Sequence, residues 1–318
     1  MMIQRSVVGT LLGGVMVFGA GAVSGQTYPS KPVRIVTVGY GSSTDIAMRL
    51  IAQAIPGSFG QRLVVENRGI AAIEVVAQAR PDGYTLLHYT NPLWLMPVFR
   101  ADVSWDVTKD FVPVTQTLTS PNVLVVHPSL PVTSVRDLIQ FAKARPGQLN
   151  YGSSSSGSGN HVAAELFKAL AGLDIVRINY KSGGQAVSNL VVGEVQLVFA
   201  AAGSSMPFVK SGKLRGLAIT SAKPSALVPG LPTLAASGLP AYESSSVAGL
   251  FAPAGTPEAI VNELNREFVR VLHRADIKER LVNASIEAVG SSPAELAATV
   301  KSEIARMSKV VKDAGLRE

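Results

Sequence analysis

Two short runs of hydroxyl and glycine residues are where this sequence could do chemistry: Gly41-Ser42-Ser43-Thr44-Asp45, and the serine-rich run that includes Ser153, Ser154, Ser158 and Asn160. Each follows an apolar run and precedes a helical pattern. Other reactive groups are scarce. The chain has no cysteine, so it forms no thiolate nucleophile, disulfide or thiolate metal site. Its four histidines (His88, His127, His161 and His273) lie far apart, and none sits in an H-E-x-x-H pair, so no metal is expected.

A strand–glycine/serine loop–helix junction can bind a nucleotide, hold a nucleophilic serine, cap a helix or receive an anion. Gly39-Tyr40-Gly41 starts like a dinucleotide fingerprint, but Thr44 stands where close helix–strand packing needs a third glycine. No G-x-x-x-x-G-K-[ST] loop occurs. No serine lies in G-x-S-x-G or S-x-x-K, and a serine–histidine pair at His161 would lack a third, orienting group. No catalytic residue and no cofactor are expected.

Anion binding fits the residues that remain. A helix start leaves four N–H groups unpaired and carries partial positive charge, and small residues let a ligand reach that backbone. Charge-assisted hydrogen bonds add about 1.5–3 kcal/mol each. Ser42, Ser43, Thr44 and Asp45 would equally well cap their own helix, and Asp45 reads as cap as readily as contact.

The elements that must position these runs follow from periodicity. Strand-like stretches at 33–38, 62–65, 84–88 and 123–127 are interspersed with helical spacing at 45–54 and 74–79. A second unit repeats the plan with a strand at 148–151, a loop at 152–159, a helix at 161–171 and a strand at 175–180. A helix at 185–192 and strands at 196–200 and 214–220 complete it. The pattern predicts an α/β architecture with mainly parallel sheets. A long helix should start at Thr256-Pro257 with Thr256 as N-cap. The last should start at Ser292-Pro293 and stop at Gly315. Crossings between units are expected within 123–128 and 247–253, giving a discontinuous first domain (27–125 and 248–318) around a second (126–247).

Charge and the N-terminus narrow the setting. Of the 318 residues 47% are hydrophobic, enough for substantial cores. The net charge of +7 is scattered, with no basic stripe interleaved with aromatics, which argues against nucleic acid. Its field either favours small anions or serves solubility. Arg5, the apolar run 7–23 and the small residues Ala22-Val23-Ser24 form the pattern of a secretory signal over 1–26. The mature chain is expected to begin between Gly25 and Tyr28.

Longer motifs then become recognisable. Tyr28-Pro29-Ser30-Lys31-Pro32-Val33-Arg34, Ser43-Thr44-Asp45, Val65-Glu66-Asn67-Arg68 and Pro81-Asp82-Gly83-Tyr84-Thr85 resemble the periplasmic receptors of tripartite tricarboxylate transporters, the Bug proteins. So do Pro146-Gly147-Gln148-Leu149-Asn150-Tyr151, Gly193-Glu194-Val195-Gln196 and Ala252-Pro253-Ala254-Gly255-Thr256-Pro257, in order along the chain. The resemblance implies two α/β domains in a periplasmic-binding-protein (Venus flytrap) fold, with a ligand cleft between them. It implies a monomer that captures a small carboxylate for membrane transporter subunits, and a receptor rather than an enzyme. A sensor reporting to a membrane signalling partner is the alternative.

Carried onto this chain, the first ligand loop is Tyr40, Gly41, Ser42, Ser43, Thr44 and Asp45. The second contains Ser153, Ser154, Ser158 and Asn160, with Lys181 after the next strand. A valine at Gly41 or Gly157 is expected to block ligand approach and leave the fold intact. The chain also departs from the resemblance. Val38-Gly39-Tyr40 replaces prolines, the turn after Arg68 is shorter, and Ala200-Ala201-Ala202 replaces an acid or amide near Ala201. Trp94 stands where small residues are usual and is expected to line the cleft. These changes imply a pocket that is more apolar or that no longer binds a typical acid.

Overall fold

The computed structural model describes residues 28–40, 42–55 and 59–317, so Gly41 and the expected signal at 1–26 lie outside the described residues. The first unit runs β1 (Val33–Thr37), α1 (Ser43–Ala54), β2 (Leu63–Asn67), α2 (Ala71–Ala77), β3 (Thr85–Thr90) and α3 (Pro92–Phe99). A short α4 (Val107–Asp110) leads into the ten-residue strand β4 (Phe111–Ser120). The second unit contains β5 (Asn122–Val126), α5 (Val135–Lys143), β6 (Asn150–Ser153), α6 (Gly159–Ala171) and β7 (Val176–Asn179). It continues with α7 (Gly183–Val191), β8 (Leu197–Ala201), α8 (Ala202–Lys210) and β9 (Arg215–Ile219). The chain then returns through β10 (Ser246–Pro253), α9 (Glu258–Leu272), α10 (Ala275–Asn283), β11 (Glu287–Ala288) and α11 (Pro293–Ala314).

Two sheets result, ordered β11-β4-β10-β3-β1-β2 and β7-β6-β8-β5-β9. In each, the strands of a βαβαβ unit are parallel, β1 between β2 and β3, and β6 between β7 and β8. The remaining strands pair antiparallel, so the sheets are mixed rather than mainly parallel. The reason is topological. A strand that arrives from the other sheet, as β5 and β10 do, needs no helical crossover and can run back against its neighbour.

Sheet membership changes at Pro121, between β4 and β5, and again between β9 and β10. The expected boundaries at 125/126 and 247/248 thus fall a few residues inside β5 and β10. An apolar β-branched run reads the same in either sheet, and only its partners decide.

Both faces of each sheet are buried, which explains the continuous apolar runs. Val33 and Ile35 pack with Met48 and Ile51 of α1 and with Leu264 and Phe268 of α9. Val36 faces the opposite core, with Leu93 and Met307. In the second sheet Leu124 packs with Leu138 and Phe167, and Val125 with Val187 and Leu190. Each such side chain contributes about 1.5–3 kcal/mol against chain entropy.

Helix ends follow the sequence in part. Ser292 closes a capping box with Glu295, and Gly315 ends α11 at φ 64°. Thr256 does not cap α9: its hydroxyl donates to the Pro253 carbonyl at 2.7 Å, and Pro257 stands at the N-cap.

Candidate functional site

In both units the chain goes from the central strand to one side and then jumps back to the other. That reversal opens a crevice at the C-terminal ends of the central strand and the last strand, the place where open α/β sheets receive ligands. In the first lobe the crevice lies between the β1–α1 and β3–α3 loops, in the second between the β6–α6 and β8–α8 loops.

The first crevice is built on an anchored loop. Ser42 caps α1, its Oγ accepting from the Asp45 N–H at 3.1 Å. Asp45 is buried at 1% exposure, where its carboxylate accepts from Arg49 Nε at 3.1 Å and from Asn67 Nδ2 at 2.8 Å. Asn67 Nδ2 also reaches the Val38 carbonyl at 2.9 Å, and its Oδ1 accepts from Arg49. Asp45 is therefore tied into the loop's foundation, while Ser42 supplies the cap. Tyr40 is 83% exposed, its ring 5.5 Å from the Arg49 guanidinium. Ser43 and Thr44 line a cavity of about 40 Å³ whose other hydroxyls are Thr90, Thr119, Ser120 and Ser246.

The second crevice is organised differently. Arg177 of β7 clasps the serine loop, donating to Ser153 Oγ at 2.8 Å, Ser156 Oγ at 3.1 Å and the Ser154 carbonyl at 2.9 Å. Asn160 Oδ1 accepts from Ser154 Oγ at 3.1 Å and Ser158 Oγ at 2.6 Å. Because its hydroxyl is drawn to Asn160, Ser158 does not cap α6, and Ala201 leaves α8 without a side-chain cap. Ser204 and Ser205 turn their hydroxyls back to the Ala201 carbonyl, at 2.9 and 3.1 Å. By contrast Ser182 caps α7, the helix after the edge strand β7. No side chain caps the two helix starts at this crevice. Lys181 is exposed on the loop after the edge strand, two residues before Gly183, whose β-carbon position lies 3.3 Å from Asn160 Nδ2.

The lobes meet where these loops converge. A β-carbon on Gly159, at the start of α6, would collide with Ser246 Oγ. One on Gly203, at the start of α8, would stand 3.0 Å from the Ala284 carbonyl oxygen, two residues before Ile286. Ser246 and Ile286 both border the cavity beside Ser43 and Thr44. Both second-lobe crevice loops thus abut the rim of the first-lobe crevice.

Two expectations change. Trp94 is 1% exposed, its ring against Phe251 and its indole N–H donating to Glu303 Oε2 at 2.7 Å, so it is enclosed in the first lobe. Gly157 has φ 74°, and a β-carbon there would stand 2.5 Å from the Met96 amide nitrogen. A valine at Gly157 would disturb the α3–α6 contact itself and is no clean test of ligand approach. Sequence reasoning missed Arg177, Asn67 and Ser246. The strand–loop–helix repeat could have pointed to Arg177, since it stands on the strand next to the serine loop.

Buried histidines are structural. His88 sits between Thr37 and Thr117, fully buried, and burial lowers its pKa to about 4. His161 Nδ1 accepts from the Gly157 N–H at 3.1 Å while its ring lies 4.5 Å from Phe99, and burial holds it well below the usual range. Both are neutral near pH 7. Among the described residues no cluster of metal-ligating side chains occurs, and no helix is long and apolar enough to cross a membrane.

A larger cavity, about 770 Å³, lies elsewhere, where α3 and α4 meet the last turn of α11. Its walls carry Lys312 and Arg317 beside Asp106, and it shares no lining residue with the cavity beside Ser43 and Thr44.

The profile of the tripartite tricarboxylate transporter family receptors matches residues 47–316. Protein BugT of Bordetella pertussis is 33% identical over 305 residues, covering 94% of each chain. Among solved structures, R. palustris Rpa4515 with adipate is 37% identical with a TM-score of 0.83, covering 91% of this chain and 98% of that one. MatC (Rpa3494) from Rhodopseudomonas palustris with bound malate is 28% identical with a TM-score of 0.80, covering 89% and 100%. The two-lobed α/β fold of these solute-binding proteins is the fold described above.

Proposed function

Because the chain belongs to the tripartite tricarboxylate transporter receptor family, the Bug proteins, we propose that it captures a small organic acid between its lobes and delivers it to membrane transporter subunits. It is a receptor, not an enzyme. The observation that carries the reading is the convergence of both crevices on Ser246, with hydroxyl-bearing residues on one side and helix starts that no side chain caps on the other.

The carboxylate would take hydrogen bonds from Ser43 and Thr44 and from the first turns of α6 and α8, within reach of Asn160. None of the residues lining the convergence is charged, so charge is met by oriented N–H and O–H dipoles. A helix start contributes roughly 0.3–1 kcal/mol, up to about 2 when partly buried. Leu118, Val247 and Ala248 on the same walls, and Ala201 opposite, favour an acid with an apolar body. The cavity itself is small, about 40 Å³, so a bound acid would extend from it along the crevices. The solved relatives named above hold adipate and malate, which makes those acids the first probes.

Titration calorimetry with a panel of mono-, di- and tricarboxylic acids that includes adipate and malate tests this. We expect at least one acid to bind, with its heat abolished at matched concentration in a Ser43→Ala/Thr44→Val variant. Binding of none by the parent chain would overturn the reading. We also propose that residues 1–26 direct export to the periplasm and are removed. N-terminal sequencing of periplasmic extract should find a start between Gly25 and Tyr28, and an intact Met1 would refute removal.

A further inference from the structure

Helix α11 packs on α3 in the first lobe and on α6 in the second. Two of its polar side chains one turn apart, Glu303 and Arg306, are fastened to one stretch of chain, the second crossing between the sheets. Arg306 donates directly to the Glu243 carbonyl. Glu303 acts at one remove. Its Oε2 accepts from Asn91 Nδ2 at 3.0 Å and from Trp94 Nε1 at 2.7 Å. Asn91 then turns the rest of its amide onto the crossing: Oδ1 accepts from the Val247 N–H at 2.9 Å, and Nδ2 reaches the Ser245 carbonyl at 3.4 Å.

The residue between those two contacts is Ser246. Its Oγ meets the Asn122 side chain at the start of β5, just past the first crossing, and it borders the cavity beside Ser43 and Thr44. The start of α6 presses on it through Gly159. Both crossings therefore join at Asn122–Ser246, and the joint is held from outside by the C-terminal helix. The direction of the Asn91 amide matters. Only with its oxygen toward the Val247 N–H and its nitrogen toward an acceptor can it bridge strand and helix, and Glu303 supplies that acceptor. The Glu303 side chain is 12% exposed, with Arg306 3.9 Å away, so water is a poor substitute.

We infer that Glu303 is a positioning residue for ligand capture: it holds Asn91, and through Asn91 the 245–247 crossing, so that Ser246 stands between the two crevices. The effect on affinity rests on the capture reading, while the effect on the crossing rests on hydrogen-bond geometry alone. A buried acid that merely satisfied the Trp94 indole would leave the crossing indifferent to its loss.

Four variants separate these. Glu303→Leu removes the acceptor and Glu303→Gln keeps one. Asn91→Asp keeps the acceptor for Val247 but sets two carboxylates face to face. Asn91→Asp with Glu303→Gln restores a donor between them. In ligand-free protein, amide hydrogen exchange at Val247 should be at least tenfold faster in Glu303→Leu and Asn91→Asp. It should be parent-like in Glu303→Gln and in the double variant. In a Trp105→Phe background, Trp94 emission should shift in Glu303→Leu and not in Glu303→Gln. Affinity for whichever of adipate or malate the parent binds should fall about fivefold or more in Glu303→Leu and be retained in Glu303→Gln. Parent-rate exchange at Val247 in Glu303→Leu overturns the inference. So does exchange that accelerates equally across both sheets, or a loosened crossing with parent affinity. If the parent binds neither acid nor any other in the panel, the capture reading fails, and the exchange result still decides whether Glu303 holds the crossing.

Discussion

In the first lobe the crevice carries Ser43 and Thr44 on a loop anchored from below, and both residues line the cavity. In the second lobe the equivalent crevice turns its serine hydroxyls onto Asn160 and Arg177, and what it offers outward is backbone. The same strand–loop–helix plan thus yields two kinds of grip. One depends on particular side chains, the other on whatever keeps a loop in shape. Substitutions at the binding residues should matter in the first lobe, and substitutions at the organisers in the second.

The largest effect should come where the second loop touches the first lobe. Gly157 combines φ 74° with a β-carbon position 2.5 Å from the Met96 backbone. Backbone strain and overpacking each cost about 1–3 kcal/mol. Gly157→Val should lower the unfolding free energy by about 3 kcal/mol in denaturant titration. A parent-like midpoint would mean that the loop is not pinned against α3.

Acid should strain both lobes, since each buries one neutral histidine. The folded pKa of His88, about 4, lies below its unfolded value near 6.5, so the unfolded chain takes up the proton first. Stability is therefore complete above pH 6.5 and is lost as pH falls toward 4. Between pH 6.5 and 5, ahead of most carboxylates, the loss from His88 is about 2 kcal/mol. His161 adds to it in the same direction. Glu303, raised by burial, works the other way, with stability gained as pH falls into the carboxylate range. Equal denaturant midpoints at pH 7 and pH 5 would contradict this.

Arg177 is the organiser to remove next. Hydrogen bonds from a charged donor contribute about 1.5–3 kcal/mol each, less where water competes. Arg177→Met should weaken acid binding about tenfold with only a small drop in melting temperature. Unchanged affinity would show that the serine loop keeps its shape alone. Thr44→Val in the first lobe should weaken binding about fivefold, the loss of one hydroxyl donor, with no change in melting.

How much of this the sequence revealed follows the same division. The repeat of strand, small polar loop and helix was legible at 33–54 and 148–171, because periodicity and composition are local. So were the Ser292 cap and the Gly315 stop. The antiparallel partners of β4 and β10 were not legible, nor was the sheet to which β5 belongs, since these depend on residues 126–142 positions away for the first pair and 71–79 for β5. The serines of the loop were picked out by type, but Arg177, which shapes them, is an ordinary strand arginine until β7 is laid beside β6. Trp94 was placed at the cleft by the resemblance, and it borders instead the larger cavity beside α11. It is buried against Phe251, with its indole N–H on Glu303, 209 positions on.

The smallest effect should be at Lys181, and it sharpens the contrast between crevice and rim. Lys181 follows the edge strand β7 and precedes α7, whose start Ser182 already caps. Its backbone N–H is held by Gln185 Oε1 at 3.2 Å, and the residue is exposed. A cation so placed acts on an incoming acid only through its field, which decays over about 8–10 Å at ordinary ionic strength. Lys181→Ala should therefore change affinity less than about twofold, mainly through the association rate, and the difference should vanish in high salt. Stopped-flow titration at low and high ionic strength measures both. A loss of tenfold or more that survives salt would put the lysine in direct contact with the carboxylate and move the anion site from the β6/β8 crevice to the α7 edge.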